Sequence, residues 1–280
     1  MMSRNKFIIN FTPTGLIPTK EMTAYVPVMP DEIIAQVLEV SELGVSMVHL
    51  HARDQENGIP TFKKDIYGSI IKGIRRERKD LILCVSTSGR LFPEYGQRSE
   101  CLDLDGDAKP DFASLTLSSV NFNKHASINA PDTIQRLAAR MKETGIRPEF
   151  EVFDLGMINY AKYLIRKGYF SPPHYFNFIL GNIACAQADL LHLGLMIKEL
   201  PEASIWSVGG VGNEQLKANV MGLLSGGGVR IGLEDNIWYD EARTTLATNR
   251  ALIERILLIA ESLGHRPYSP LETRNLLGCR

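Results

Sequence analysis

Short apolar runs alternate along the chain with longer stretches in which apolar residues recur every three or four positions. The runs at 7–11, 45–51, 81–86, 112–117, 148–153, 175–180, 204–208 and 229–233 are bounded by glycine, proline or charged residues and read as strands. The stretches at 65–78, 132–144, 157–167, 190–200, 214–224 and 249–263 carry helical spacing. An earlier helix opens at Asp31-Glu32, places Ile33, Ile34, Val37, Leu38 and Ser41 on one face, and ends at Gly44. A proline-bearing loop precedes it, and a charged, glycine-containing stretch stands between the third and fourth strands. Strands that alternate with helices give a parallel sheet. Eight such units in 280 residues predict a closed barrel of the α/β class, since about 250 residues is typical of one. The expected architecture is a (β/α)8 TIM barrel with a C-terminal helical extension, and residues 1–280 read as one domain.

Composition narrows the function classes. Hydrophobic residues make up 44% of the chain, enough for a large core, and the net charge is −1. Such a balance offers no electrostatic footprint for nucleic acid or an anionic membrane, and neither is an expected partner. No apolar stretch approaches the ~18 residues of a bilayer span. Residues 1–6 lack the apolar core of a secretion leader. Cys84, Cys101, Cys185 and Cys279 are scattered without metal or redox spacing, which reads as reduced thiols of a cytoplasmic protein. No strand is followed by GxGxxG, so a dinucleotide fold has little support.

Barrel enzymes carry their chemistry at the C-terminal ends of the strands, and the unusual polar residues fall there. His49 and His51 close the second strand, Ser86 and Thr87 the third. Ser114 and Thr116 lie late in the fourth, Glu149 and Glu151 in the fifth, and Glu234 and Asp235 follow the eighth. Residues i and i+2 of a strand share a face, so His49 and His51 can converge on one ion from inside the barrel. Imidazoles with one carboxylate are a usual zinc set that leaves a position open. Two hydrogen-bonded core histidines are the alternative. Arg230, Gly232 and Glu234 share the inner face of the eighth strand, which only the first strand separates from the second. Glu234 is therefore within reach of the histidines as third ligand, and an Arg230–Glu234 ion pair can coexist with that role. Glu151 either takes part in catalysis or neutralises Arg53 or Arg230. Gly209-Gly210-Val211-Gly212 is read as following strand seven at the active face, where phosphate sites and plain tight turns both need glycine. Gly226-Gly227-Gly228 falls at the opposite end.

The chain resembles the β-keto acid cleavage enzyme family almost end to end. The likeness runs through Thr14-Gly15, Val48-His49-Leu50-His51-Ala52-Arg53-Asp54, Val85-Ser86-Thr87, Val120-Asn121-Phe122, Pro148-Glu149-Phe150-Glu151-Val152-Phe153, Trp206-Ser207-Val208, Gly232-Leu233-Glu234-Asp235-Asn236 and Ser269-Pro270-Leu271-Glu272. The resemblance implies a zinc-dependent barrel, usually a homotetramer, that turns a β-keto acid and acetyl-CoA into acetoacetate and a new CoA thioester. It implies His49, His51 and Glu234 as zinc ligands, Asp235 as general base and Arg230 as its partner. Ser86 and Ser114 then hold the keto acid's carboxylate and keto oxygens, with Thr116, Glu151 and Thr87 nearby. That chemistry needs a Lewis acid on the keto oxygen and a placed, desolvated base for a proton next to a thioester carbonyl.

This chain departs from the family pattern at Ser88 of Ser86-Thr87-Ser88-Gly89, at Thr116, at Ala184-Cys185 and at Asn213, which stands where arginine is frequent beside the glycine loop. Ile17 occupies the place where members acting on amino-substituted substrates carry glutamate. An uncharged, partly apolar side group is therefore expected, with Lys20 leaving an anionic one open. A zinc lyase or aldolase that needs no CoA, and a metal-binding barrel without catalysis, are the competing readings.

Overall fold

The computed structural model describes residues 5–279, so four of the six residues on which the reading of the leader rests, 1–4, lie outside the described residues. The barrel strands are β1 (Ile9–Phe11), β2 (Met47–Leu50), β3 (Ile82–Val85), β4 (Phe112–Thr116), β5 (Arg147–Val152), β6 (His174–Leu180), β7 (Ser204–Gly210) and β8 (Gly228–Ile231). All neighbours pair in parallel, and the sheet closes in the order β7-β8-β1-β2-β3-β4-β5-β6. This is the expected (β/α)8 barrel. Around it lie α1 (Pro30–Ser41), α2 (Lys64–Glu77), the short α3 (Tyr95–Ser99), α4 (Pro131–Thr144), α5 (Leu155–Arg166), α6 (Leu190–Lys198), α7 (Glu214–Leu224) and α8 (Asn249–Ser262). The extension is α9 (Pro270–Leu277). Among the described residues no helix is long and apolar enough to cross a membrane.

Helix starts follow local chemistry. The side chains of Asp154, Asp189 and Thr248 accept from the backbone N–H groups of Met157, His192 and Ala251, which would otherwise lack partners. Ser269 and Glu272 form a reciprocal capping box on α9. The third unit departs from the strand-then-helix rhythm: α3 has five residues and continues into two 3-10 turns, Glu100–Asp103 and Gly106–Ala108. The two turns bury only Cys101, Leu102 and Ala108, too few apolar residues for the face of a longer helix.

Alternation along the strands sorts the core into two parts. Ile9, Phe11, Val48, Leu50, Leu83, Val85, Phe150, Val152, Phe176 and Phe178 pack outward with the helices. The lower lumen is filled by Ile8, Met47, Ile82, Cys84, Phe112, Tyr175 and Ile205, and Tyr268 and Leu277 close it from below. Lys6–Phe7 pairs with Arg266–Pro267, and Lys6 forms an ion pair with Glu272, so both ends of the described chain are tied under the barrel. This splits the first apolar run at Ile8.

Strand ends move by a few residues from their expected positions. β8 stops at Ile231, although Glu234 stays tied to the first strand's exit through its N–H to the Thr12 carbonyl at 3.2 Å. Gly209 and Gly210 lie inside β7, not after it. Their lack of a side chain is used for packing: a Cβ on Gly209 would sit 3.0 Å from Arg230 Cβ, and one on Gly210 2.5 Å from the Glu214 carbonyl oxygen. Gly210→Ala should therefore push α7 off the sheet and cost about 1–3 kcal/mol, read as a lower urea midpoint. An unchanged midpoint would mean that α7 slides freely on β7.

Candidate active site

At the C-terminal end of the barrel the lumen turns polar. His49, on β2, and His51, one residue beyond it, point inward and bring their Nε2 atoms within 3.2 Å of each other. His51 Nε2 lies 3.2 Å from Glu234 Oε1. Ligand atoms from His49, His51 and Glu234 all lie within 4.8 Å of one another, so the three could hold a metal ion. The adjacency of β8, β1 and β2 places Glu234 there. Gly15 permits it: its φ is +66° and a Cβ would sit 2.6 Å from Glu234 Cγ. The donor set fits a cation. Glu234 Oε2 and His51 Nδ1 are buried without a hydrogen-bond partner among the described residues. Four carboxylates, those of Glu149, Glu151, Glu234 and Asp235, act on the fully buried Arg230.

Glu149 lies beneath the cluster and holds His49, a contact its sequence position did not assign. It is fully buried; its Oε1 lies 2.7 Å from His49 Nδ1, and its Oε2 accepts from Asn10 Nδ2 at 2.7 Å. This fixes the ring so that Nε2 faces His51. Burial alone lowers the His49 pKa, but the Glu149 and Glu234 carboxylates carry it up to about 9. For His51 burial outweighs the neighbouring Glu234 carboxylate, and its pKa stays lowered. The available signal for Glu149 was its position two residues before Glu151 on the same face.

Arg230 organises the acids. Its Nη2 donates to Glu234 Oε1 at 2.7 Å, its Nε to Asp235 Oδ2 at 2.9 Å, and its Nη1 stands 3.9 Å from Glu151 Oε1. The Glu234 carboxyl is held well below its ordinary range: burial raises it, but His51 and Arg230 outweigh burial. For Asp235 burial wins, helped by Glu234 and opposed by Arg230, and its pKa rises to about 6. A buried carboxylate near neutrality is suited to moving a proton. Thr116 Oγ1 donates to Glu151 Oε2 at 2.6 Å. Arg53 does not neutralise Glu151; its Nη2 donates to the carbonyls of Gly15 and Pro18 at 2.7 and 2.8 Å.

Above these groups lies a cavity of about 340 Å³. His51, Ser86, Thr116, Glu151, Arg230, Glu234 and Asp235 line it, as does Ile17 on the first loop. Thr87 and Ser114 do not line it: Thr87 Oγ1 donates to the Ser114 carbonyl at 2.6 Å, and Ser114 Oγ accepts from the Thr87 N–H at 3.2 Å. Lys20 points elsewhere, paired with Glu32 at 2.9 Å. Phe122, Asn123, Arg90, Trp238 and Arg243 complete the wall from loops whose paths have no sequence signature. Arg243 Nε donates to Asn213 Oδ1 at 3.1 Å, so a guanidinium from the loop after β8 stands beside the Gly212 turn although residue 213 is asparagine.

Comparison with known proteins shows the family and the fold. Residues 6–279 match the profile of the beta-keto acid cleavage enzyme family. The chain is 32% identical over 277 residues to the 3-keto-5-aminohexanoate cleavage enzyme of Fusobacterium nucleatum subsp. nucleatum, covering 98% of each. It is 33% identical to the 3-oxoadipate:acetyl-CoA acetyltransferase of Cupriavidus necator, covering 97% of this chain and 94% of that one. Among solved structures, apo ObcA superposes with a TM-score of 0.76 at 22% identity, over 91% of this chain and 65% of that one, and so shares the fold.

The first loop depends on Arg53. Replacing it by methionine removes two buried donors from the Gly15 and Pro18 carbonyls, each worth about 1.5–3 kcal/mol with a charged partner. Amide exchange in residues 14–22 should then rise about tenfold or more relative to the barrel strands. Unchanged protection of that loop would show that other contacts hold it.

Proposed function

The chain belongs to the beta-keto acid cleavage enzyme family, and on that premise we propose that it is an enzyme exchanging the acyl group of a β-keto acid with acetyl-CoA, with acetoacetate and a new acyl-CoA as products. The relatives in this family named as acetyl-CoA-dependent transferases support the reaction class. The observation that carries the reading is the convergence of His49, His51 and Glu234 beside Asp235 on the floor of the cavity.

In this reading His49, His51 and Glu234 hold one divalent ion, zinc by its nitrogen and oxygen donors. When bound, the ion supplies a Lewis acid toward the keto oxygen. Asp235 is the base. Carbon balance puts the proton it removes on the methylene between the keto and carboxylate carbons, not next to the thioester carbonyl. That carbon adds to the acetyl carbonyl and CoA thiolate leaves. The thiolate then takes the original acyl carbon, the bond between that carbon and the former methylene breaks, and the proton returns from Asp235 to acetoacetate. Arg230 holds the Asp235 carboxylate at Oδ2 and keeps it aimed during both transfers. Ser86 meets the substrate carboxylate, with Thr116 and Glu151 beside it; Ser114 acts through Thr87, which positions the Ser86 loop. Ile17 offers a substrate ammonium no partner, so an amino-substituted side group is disfavoured. Arg243, exposed at the rim, suits the phosphates of CoA. The protein is read as one domain and as a cytoplasmic homotetramer.

The direct test is acetoacetate formation from acetyl-CoA and a panel of β-keto acids. No turnover across the panel by metal-loaded protein would favour a CoA-independent lyase or aldolase, or a barrel that binds metal without catalysis.

Two variants separate the roles. His49→Ala should lose metal and activity together, measured by metal analysis of the dialysed protein; full occupancy would sink the ligand set. Asp235→Asn should keep fold and metal while kcat drops by at least ~100-fold. Near-normal kcat would mean that another group removes the proton.

A further inference from the structure

Arg90 stands on the loop after β3, and its guanidinium carbon lies 3.9 Å from the centroid of the Phe122 ring on the loop after β4. Both line the cavity. The side chain is half-buried, and burial lowers its pKa with no carboxylate acting in opposition. The other buried arginines of the active face are all engaged. Arg53 donates to backbone carbonyls, Arg98 to the Thr87 carbonyl and Asn129 Oδ1, and Arg230 to Glu234 and Asp235. Arg243 is engaged by Asn213. Among the described residues the Arg90 guanidinium has only the ring of Phe122.

Stacking on a ring uses the face of a guanidinium and leaves its planar fork of N–H donors free. A half-buried fork of donors with no protein acceptor is open to a ligand, and its natural complement is a carboxylate, bound bidentately. The wall of the same cavity offers apolar surface at Ile17, Met22, Val120 and Phe153. Lys20, the cation nearest Ile17 in sequence, is turned to Glu32 and cannot serve. A ligand that matches this wall has an aliphatic stem and an anionic end.

We propose that Arg90 is a specificity-determining residue that binds a carboxylate at the end of the substrate's side group, so that the enzyme takes β-keto dicarboxylic acids. This rests on the acyl-exchange reading of the site. Acceptance of an apolar stem agrees with Ile17 in the wall; the charge at its end is read by Arg90. The phosphates of CoA present the same anionic chemistry, and the experiment separates the two sources.

The test compares 3-oxoadipate with 3-oxohexanoate, equal in length and differing in the terminal carboxylate, in the wild type and in Arg90→Met, which keeps an unbranched stem on Phe122. The wild type should prefer 3-oxoadipate in kcat/KM by about 10- to 100-fold. Arg90→Met should lose that preference, with the KM for acetyl-CoA unchanged. Absence of the preference in the wild type overturns the proposal. So does a loss in Arg90→Met that is equal for both keto acids, appears in the KM for acetyl-CoA, and disappears with the phosphate-free thioester S-acetyl-N-acetylcysteamine. Calorimetric titration of metal-loaded protein with 3-oxoadipate, without acetyl-CoA, gives a readout independent of turnover. Arg90-dependent binding with no acetoacetate formed would sink the acyl-exchange reading and uphold this one. Turnover or binding of 3-oxoadipate that is indifferent to Arg90 would sink this one alone.

Discussion

Arg230 is fully buried inside the barrel, and a guanidinium there cannot stay unpaired. Its neighbours follow from that constraint. Gly209 leaves the space for its stem. Glu234 and Asp235, four and five residues on, turn back to take its Nη2 and Nε. The bend after Ile231 that makes this possible also brings Glu234 over Gly15 and against His51. One buried cation thus positions both a candidate ligand and the candidate base. Their titration then diverges: the Glu234 carboxyl is held ionised by His51 and Arg230, whereas burial lifts that of Asp235 to about 6. Two adjacent carboxyls in different surroundings are suited to different work.

The floor of the site is held from below and its walls from the side. Asn10 holds Glu149, and Glu149 holds His49, a chain of hydrogen bonds in a fully buried layer where side chains have little freedom. The walls are loops, and buried arginines tie two of them. Arg53 ties the first loop through Gly15 and Pro18, and Arg98 ties the third through Thr87 and Asn129. Rigid strands with a stiff polar layer hold the candidate metal ligands and base, while loops carrying Ile17, Arg90 and Phe122 form the wall of the cavity. The wall can therefore change by loop substitutions that leave the floor in place.

Much of this is legible in the amino-acid sequence. A period of two along the second strand placed His49 with His51, because a strand alternates faces; the expected meeting of Arg230 and Glu234 also occurs, although through the bend after Ile231 and not through strand alternation. The rhythm of strand and helix gave the barrel, and closure made β8 and β2 near neighbours across β1. Closure also turned two distant motifs into one cluster. These inferences succeed because they use backbone geometry, which is the same in every barrel.

Other features needed the folded chain. The short α3 unit, the glycines inside β7, the withdrawal of Ser114 and Thr87 behind the wall, and the return of Arg243 to Asn213 all depend on where loops run. Glu149 and Glu151 look alike in sequence, two residues apart on one face. Only depth in the lumen separates them, since Glu149 meets His49 and Asn10 while Glu151 meets Thr116 at the cavity. Lys20 and Arg90 are both loop cations, yet one is spent on Glu32 and the other faces the cavity on Phe122. Local sequence settles the direction of a strand side chain because its backbone is regular. The reach of a long side chain on a loop is settled by the packing around it, which belongs to the whole barrel.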